Sequence, residues 1–242
     1  MLRYFKVIHD LLDAIEASEG ANMEQASEFI AQSIADGRVL HYFGAGHSHV
    51  LGDELFYRAG GLVPVNAILE PALMVSNGAS KSSQMEQLPG LASIILRESQ
   101  VEAGDVMIIA SNSGINQVPV EMAAEARKMG VTVIALTSVS SSLQIPTRNT
   151  LNKRLLDCAD VVIDTHVPYG DAAVTVHGID QQIGPVSTAV GVPIVNSMVV
   201  RVVEKLAERG IDPPVFESAN IPGGAEHNTA HLERYRPLIK SL

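Results

Sequence analysis

Val39-Leu40-His41-Tyr42-Phe43, running into Gly44-Ala45-Gly46-His47-Ser48-His49, is the stretch that decides the fold. An apolar run of strand length meets a glycine turn, and a helical pattern follows over residues 49–59. The same phrase recurs downstream. Residues 62–68 form a second apolar run, and residues 105–110 a third that ends in Ser111-Asn112-Ser113-Gly114. Residues 131–136 form a fourth, ending in Thr137-Ser138, and residues 161–164 a fifth. Helical patterns lie between them over 118–129, with Pro119 in the first turn, and over 153–158. A longer helix is expected over 185–208, kinked at Pro193. Strands that are apolar throughout and alternate with helices belong to a parallel sheet covered on both faces. Right-handed crossovers then give an α/β fold, a three-layer α/β/α sandwich.

Upstream, Leu2, Phe5, Ile8, Leu11, Leu12 and Ile15 recur at helical spacing. Asn22 with Gln25 reads as the capping box of a second N-terminal helix that ends near Gly37. Residues 70–84, 139–150 and 166–183 fall outside the rhythm. In an open parallel sheet the loops at the strands' carboxyl ends share one edge, where ligands bind, and these segments lie on it or lead from it. Residues 211–242, with Pro213-Pro214 and Pro222-Gly223-Gly224, read as a C-terminal arm, which leaves residues 1–210 as the domain.

The 242 residues are 46% hydrophobic and 18% charged, enough for a large core and incompatible with wholesale disorder. Lys+Arg 17 against Asp+Glu 27 gives a net charge of -10 with no basic stripe, so no nucleic-acid partner is expected. Asp10 and Asp13 interrupt the N-terminal apolar stretch, and Pro193, Asn196, Ser197 and Arg201 interrupt the longest one, so no signal peptide and no membrane partner are expected. The lone Cys158 excludes an internal disulfide and fits a reducing, cytoplasmic location.

The glycine turn lets main-chain N–H groups approach an anion: Gly46 opens the backbone, and Ser48 adds a hydroxyl at a helix start. The same turn also serves merely to reverse the chain. A dinucleotide fingerprint would need a third glycine where His49 stands and an acid where Asn66 stands, and GxxxxGK[ST] is missing. Ser111-Asn112-Ser113 before Gly114 can present two hydroxyls and several N–H groups to one phosphate, although Ser and Asn also favour ordinary helix starts. Ser187-Thr188 is a third hydroxyl source with the same two readings. His41, His47, His49 and Cys158 have no zinc-ligand spacing, so no metal is expected.

Gly44-Ala45-Gly46-His47-Ser48, Ser111-Asn112-Ser113-Gly114 and Gly184-Pro185-Val186-Ser187-Thr188-Ala189, in this order over about residues 22–210, resemble the sugar isomerase (SIS) domain family. Within it the chain looks most like stand-alone phosphosugar isomerases of the phosphoheptose isomerase type. The resemblance implies a flavodoxin-like sheet of five parallel strands and a sugar phosphate as ligand, with no cofactor. It also implies a homodimer or homotetramer with sites near subunit boundaries. Ser48, Ser111 and Ser113 match family phosphate or sugar contacts. Asn116 stands where members carry Ser or Thr, with Gln117 as the alternative donor.

Aldose–ketose isomerisation moves a proton between neighbouring carbons through an enediol and needs a base beside them. Glu54, on the helix leaving the first loop, is a candidate base, or else an i,i+4 ion-pair partner of Arg58. The resemblance places the family carboxylate one turn later, near Arg58, and its paired histidine near Asn196 or Ser197. His47 matches a lysine position of arabinose-5-phosphate isomerases and is a candidate to polarise a sugar oxygen, or else an exposed turn histidine; Glu70 is a further acid. Glu217 and His227 in the arm are candidates to complete a neighbouring subunit's site, or are incidental surface charges. The expected activity is phosphosugar isomerisation. The alternatives are a phosphosugar lyase, etherase or deglycase, and a non-catalytic phosphosugar sensor.

Overall fold

The computed structural model describes residues 2–242. Its centre is a parallel sheet of five strands: β1 (Leu40–Gly44), β2 (Val65–Ile68), β3 (Val106–Ala110), β4 (Thr132–Thr137) and β5 (Val161–Asp164), in the order β2-β1-β3-β4-β5. Leu40 sits opposite both Val65 and Val106, and Ile134 opposite Val161. Alternate strand residues feed two different cores, as the side-chain period of two requires. Leu40, Tyr42, Ile108, Ala110, Ile134 and Leu136 pack under α1 (Arg3–Ala35) and α7 (Ser187–Glu208). Phe43, Met107, Ile109, Val133 and Ala135 pack under α4 (Leu91–Glu98) and α5 (Gln117–Lys128). The sandwich expected from the apolar runs is therefore present, with the strands of 62–68 and 105–110 trimmed at their ends.

Several elements differ from the sequence expectation. The N-terminus is one helix, α1, and not two. Asn22 donates its side-chain N–H to Glu19 within the helix, 2.9 Å away, and makes no cap. The pattern at 153–158 closes only as a 3-10 turn, Leu155–Cys158. Residues 70–84 contain two 3-10 turns and the start of α3 (Ala79–Met85), and 139–150 begins with α6 (Val139–Gln144). Residues 166–183 hold most of a small antiparallel hairpin, β6 (Ala172–Val174) with β7 (Ile183–Pro185). Residues 49–59 shorten to α2 (His49–Leu55), while the long helix expected over 185–208 is present as α7 with Pro193 inside it.

The arm also carries more structure than expected. Its helix α8 (Gly224–Tyr235) folds back so that Phe216, Tyr235 and Ile239 bury against Val39 and Val63, the residues entering β1 and β2. That is the amino edge of the sheet. The carboxyl edge remains open. No helix among the described residues is long and apolar enough to cross a membrane.

Candidate functional site

The strand order reverses at β1 and β3: one connection leaves toward β2, the other toward β4. Loops that part in this way leave a crevice at the carboxyl ends. Here the crevice is a cleft of about 380 Å³ lined by Ala45, Ser48, Glu86, Ser111, Asn112, Ser113, Ser141, Ile145, Tyr169, Gly170 and Asp171. Its floor, shared at Ser48, Ser111 and Asn112, continues to Leu51, Thr165, Ser187 and Thr188. No lysine or arginine lines either part.

Local backbone needs explain the loop sequences. A Cβ on Gly44 would stand 2.7 Å from the Ser48 Cβ, so only glycine lets the chain fold back over the end of β1. Gly46 holds φ at +59°, and the Tyr42 hydroxyl donates to the Ser48 carbonyl at 2.7 Å, fixing the turn. The Ser48 side chain caps nothing. Ser111 Oγ accepts the Gly114 N–H at 3.2 Å, which leaves its own proton for another acceptor. Gly114 also has φ +59°, and a Cβ there would meet Thr137 Oγ1 at 2.8 Å. Thr165 Oγ1 donates to Asn112 Oδ1 at 3.4 Å, which turns the Asn112 amide N–H groups toward other acceptors.

Of the sequence candidates, the structure brings Ser48, Ser111, Asn112, Ser113, Ser187 and Thr188 to this cleft, and Gly46 shapes its rim. The Ser187 hydroxyl is committed: it donates to Asp171 Oδ2 at 2.8 Å, while Asp171 Oδ1 accepts the Val186 and Ser187 N–H groups. Thr188 is thus the freer hydroxyl of the two. Gln117 is buried and lines neither part: it accepts the Thr150 N–H at 2.8 Å and leans on Glu121. Asn116 faces the Glu86 carboxyl. His47 is exposed beside the first loop.

Glu54 is held outside the cleft. It pairs with Arg58 and accepts the Asn196 side-chain N–H at 2.9 Å. The helix carboxylate is therefore paired with α7, but through an amide where the resemblance implied a histidine. Glu70 caps its own turn through the Ala72 N–H at 3.0 Å. Glu217 is exposed, its main-chain N–H bound to Asn228, and His227 Nε2 lies 3.1 Å from the Val215 carbonyl. Both ride with the arm, away from this chain's own cleft. Sequence reasoning missed Glu86, Ser141, Thr165, Tyr169 and Asp171 as cleft residues. Ser141, Tyr169 and Asp171 lie in segments already marked as irregular and at the binding edge; Glu86 and Thr165 fall outside them.

Two titratable groups near the rim have shifted. Burial pushes the Glu86 carboxyl up, opposed by its hydrogen bond with Asn116. Burial pushes His49 down, and its Nδ1 lies 3.1 Å from the Gly46 carbonyl. Among the described residues, no group of three His, Cys, Asp or Glu side chains is placed to hold a metal ion.

A family model described as SIS domain matches residues 3–138. A UPF0309 protein of Halalkalibacterium halodurans is 40% identical over 239 residues, covering 99% of this chain and 96% of the relative. Among solved structures, a phosphoheptose isomerase from Francisella tularensis superposes with a TM-score of 0.55 at 14% identity, covering 83% of this chain and 95% of that one. The Vibrio vulnificus NanR protein, solved with ManNAc-6P, gives a TM-score of 0.55 at 15% identity, covering 98% of this chain and 68% of that one. At such identities the structural likenesses establish the fold, while the family match and the nearly full-length relative go further. The chain belongs to the SIS-domain proteins and, within them, to the UPF0309 family.

Proposed function

We propose that the cleft binds a sugar phosphate and that the protein isomerises it between aldose and ketose forms. The observation that carries the reading is the meeting of Ser48, Ser111, Asn112, Ser113 and Thr188, from three separate segments, in one cleft without a basic side chain. Neutral hydroxyls and amides gathered along one cleft suit a phosphate dianion, since each bond to the ion is charge-assisted. The cleft has the volume of a small-ligand site. The phosphate lies over the loops after β1 and β3, and the sugar extends toward Glu86, Tyr169 and Asp171.

The protein acts as a homodimer or homotetramer. Leu12 and Met23, half-buried beside the groove between α1 and α7, are the apolar surface that supports this. Glu217 and His227 serve a site only if a neighbouring subunit presents its own cleft to them. A second reading, a non-catalytic sensor, is favoured by one fact: Arg58 and Asn196 already occupy Glu54.

Incubation of the protein with sugar phosphates in heavy water separates the two readings. Isomerisation places deuterium on the carbon beside the carbonyl. Stabilisation by the same compounds with no label incorporated would favour the sensor.

A further inference from the structure

The carboxylates at the binding edge are nearly all engaged by donors of the protein itself. Arg58 and Asn196 hold Glu54, and Glu70 caps its own turn. Asp164 accepts the Val139 and His166 N–H groups, and Asp171 caps the start of α7. Glu86 is engaged more lightly. It lines the cleft, and the donor that reaches its carboxyl is the Asn116 side-chain amide. Its position is fixed, because its main-chain carbonyl accepts the Val118 N–H at 3.0 Å and so ties the end of α3 to the first turn of α5.

Asn116 supplies the second observation. Its side-chain N–H donates to the Glu86 carboxylate and so holds that carboxyl at the cleft wall. Burial moves Glu86 toward holding a proton nearer neutrality than an ordinary carboxyl does. The other titratable groups facing this cleft are Asp171 and Tyr169, from the segment after β5; the loops after β1 and β3 contribute none.

We infer that Glu86 is the proton-transfer residue of the cleft and that Asn116 positions it. This rests on the reading of the cleft as a sugar phosphate isomerase site. As carboxylate, Glu86 takes the proton from the carbon beside the carbonyl. The electron pair of that C–H bond becomes the C=C bond of the enediol, while the carbonyl oxygen takes a proton from water. Glu86 then returns its proton to the former carbonyl carbon, and the neighbouring hydroxyl releases one to water. Protons and electrons balance, and the carboxylate is restored.

The test compares wild type with Glu86→Gln, Glu86→Asp and Asn116→Asp. The probes are fructose 6-phosphate, arabinose 5-phosphate, sedoheptulose 7-phosphate and N-acetylglucosamine 6-phosphate. Melting temperature reports binding, and deuterium uptake across pH reports proton transfer. Glu86→Gln is expected to keep the ligand-induced melting shift, which also shows that it folds, and to lose exchange by about 10²–10⁴-fold. Glu86→Asp keeps slower exchange with an acid limb. Asn116→Asp moves that limb to higher pH, because a second carboxylate disfavours ionisation of the first. Undiminished exchange in Glu86→Gln overturns this inference and leaves phosphate binding standing. So does a wild type that binds but exchanges nothing. If none of the four stabilises the wild type, the binding reading falls first, and this inference with it.

Discussion

Gly44 sets how closely the first loop covers the end of β1. Alanine there would place its Cβ 2.7 Å from the Ser48 Cβ and 2.8 Å from the Ser48 carbonyl oxygen. Gly44→Ala is therefore expected to move Ser48 out of the cleft and to remove the melting shift given by sugar phosphates. A retained shift would show that Ser48 is not a contact. Gly114 combines φ +59° with a neighbour 2.8 Å from any added Cβ. Gly114→Ala should lose about 1–3 kcal/mol in urea unfolding, the usual range for a left-handed non-glycine residue. Ser111→Ala removes both an acceptor for Gly114 and a donor to the ligand. A hydrogen bond to a charged group is worth roughly 1.5–3 kcal/mol, so calorimetric affinity should fall about 10- to 100-fold.

The serine loops are legible in the chain because strand, glycine and hydroxyls are adjacent in sequence. Glu86 is not legible in that way. It lies in a stretch without period, and only the main-chain bond to Val118 brings it to the cleft. Gln117 misled for the opposite reason: it stands beside the right loop, but its ends are taken by Thr150 and Glu121.

Among the elements, the strands are readable because both of their faces are apolar. The long N-terminal helix is harder. Asn22 and Gln25 look like the start of a new helix, yet Ala26, Ile30 and Ile34 continue one buried stripe against α7, and packing overrides the local signal. Charges reinforce the same contact. Glu24 binds Arg201 and Lys205, and Glu28 binds Lys205 and Arg209. Hydrogen bonds from Arg201 and Lys205 lower Glu24 to about 2. A carboxyl whose folded value is depressed contributes stability above its unfolded value, near 4.5, and loses it as pH falls toward 2. The pair is exposed, so the effect is small and shrinks further with salt. Melting temperature measured between pH 5 and pH 2 should decline less steeply in Glu24→Gln than in wild type. Identical slopes would remove Glu24 from the account of this helix pair.

The whole molecule carries a net charge of -10 and is read as binding a dianion without a basic side chain in the cleft. Long-range repulsion then opposes the ligand, and short-range hydrogen bonds hold it. Salt screens the repulsion over about 10 Å at 0.1 M and leaves the bonds intact. Affinity for a sugar phosphate should therefore hold steady or rise as salt is added; a steep fall in a salt titration would point to a cationic clamp. The most direct measurement is a pair of calorimetric titrations with one sugar, phosphorylated and unphosphorylated, on wild type and on the Ser48→Ala/Ser111→Ala double variant. Binding of the phosphorylated form to wild type alone is the expected result. Equal binding of the neutral sugar, or undiminished phosphate-dependent binding by the double variant, would contradict it.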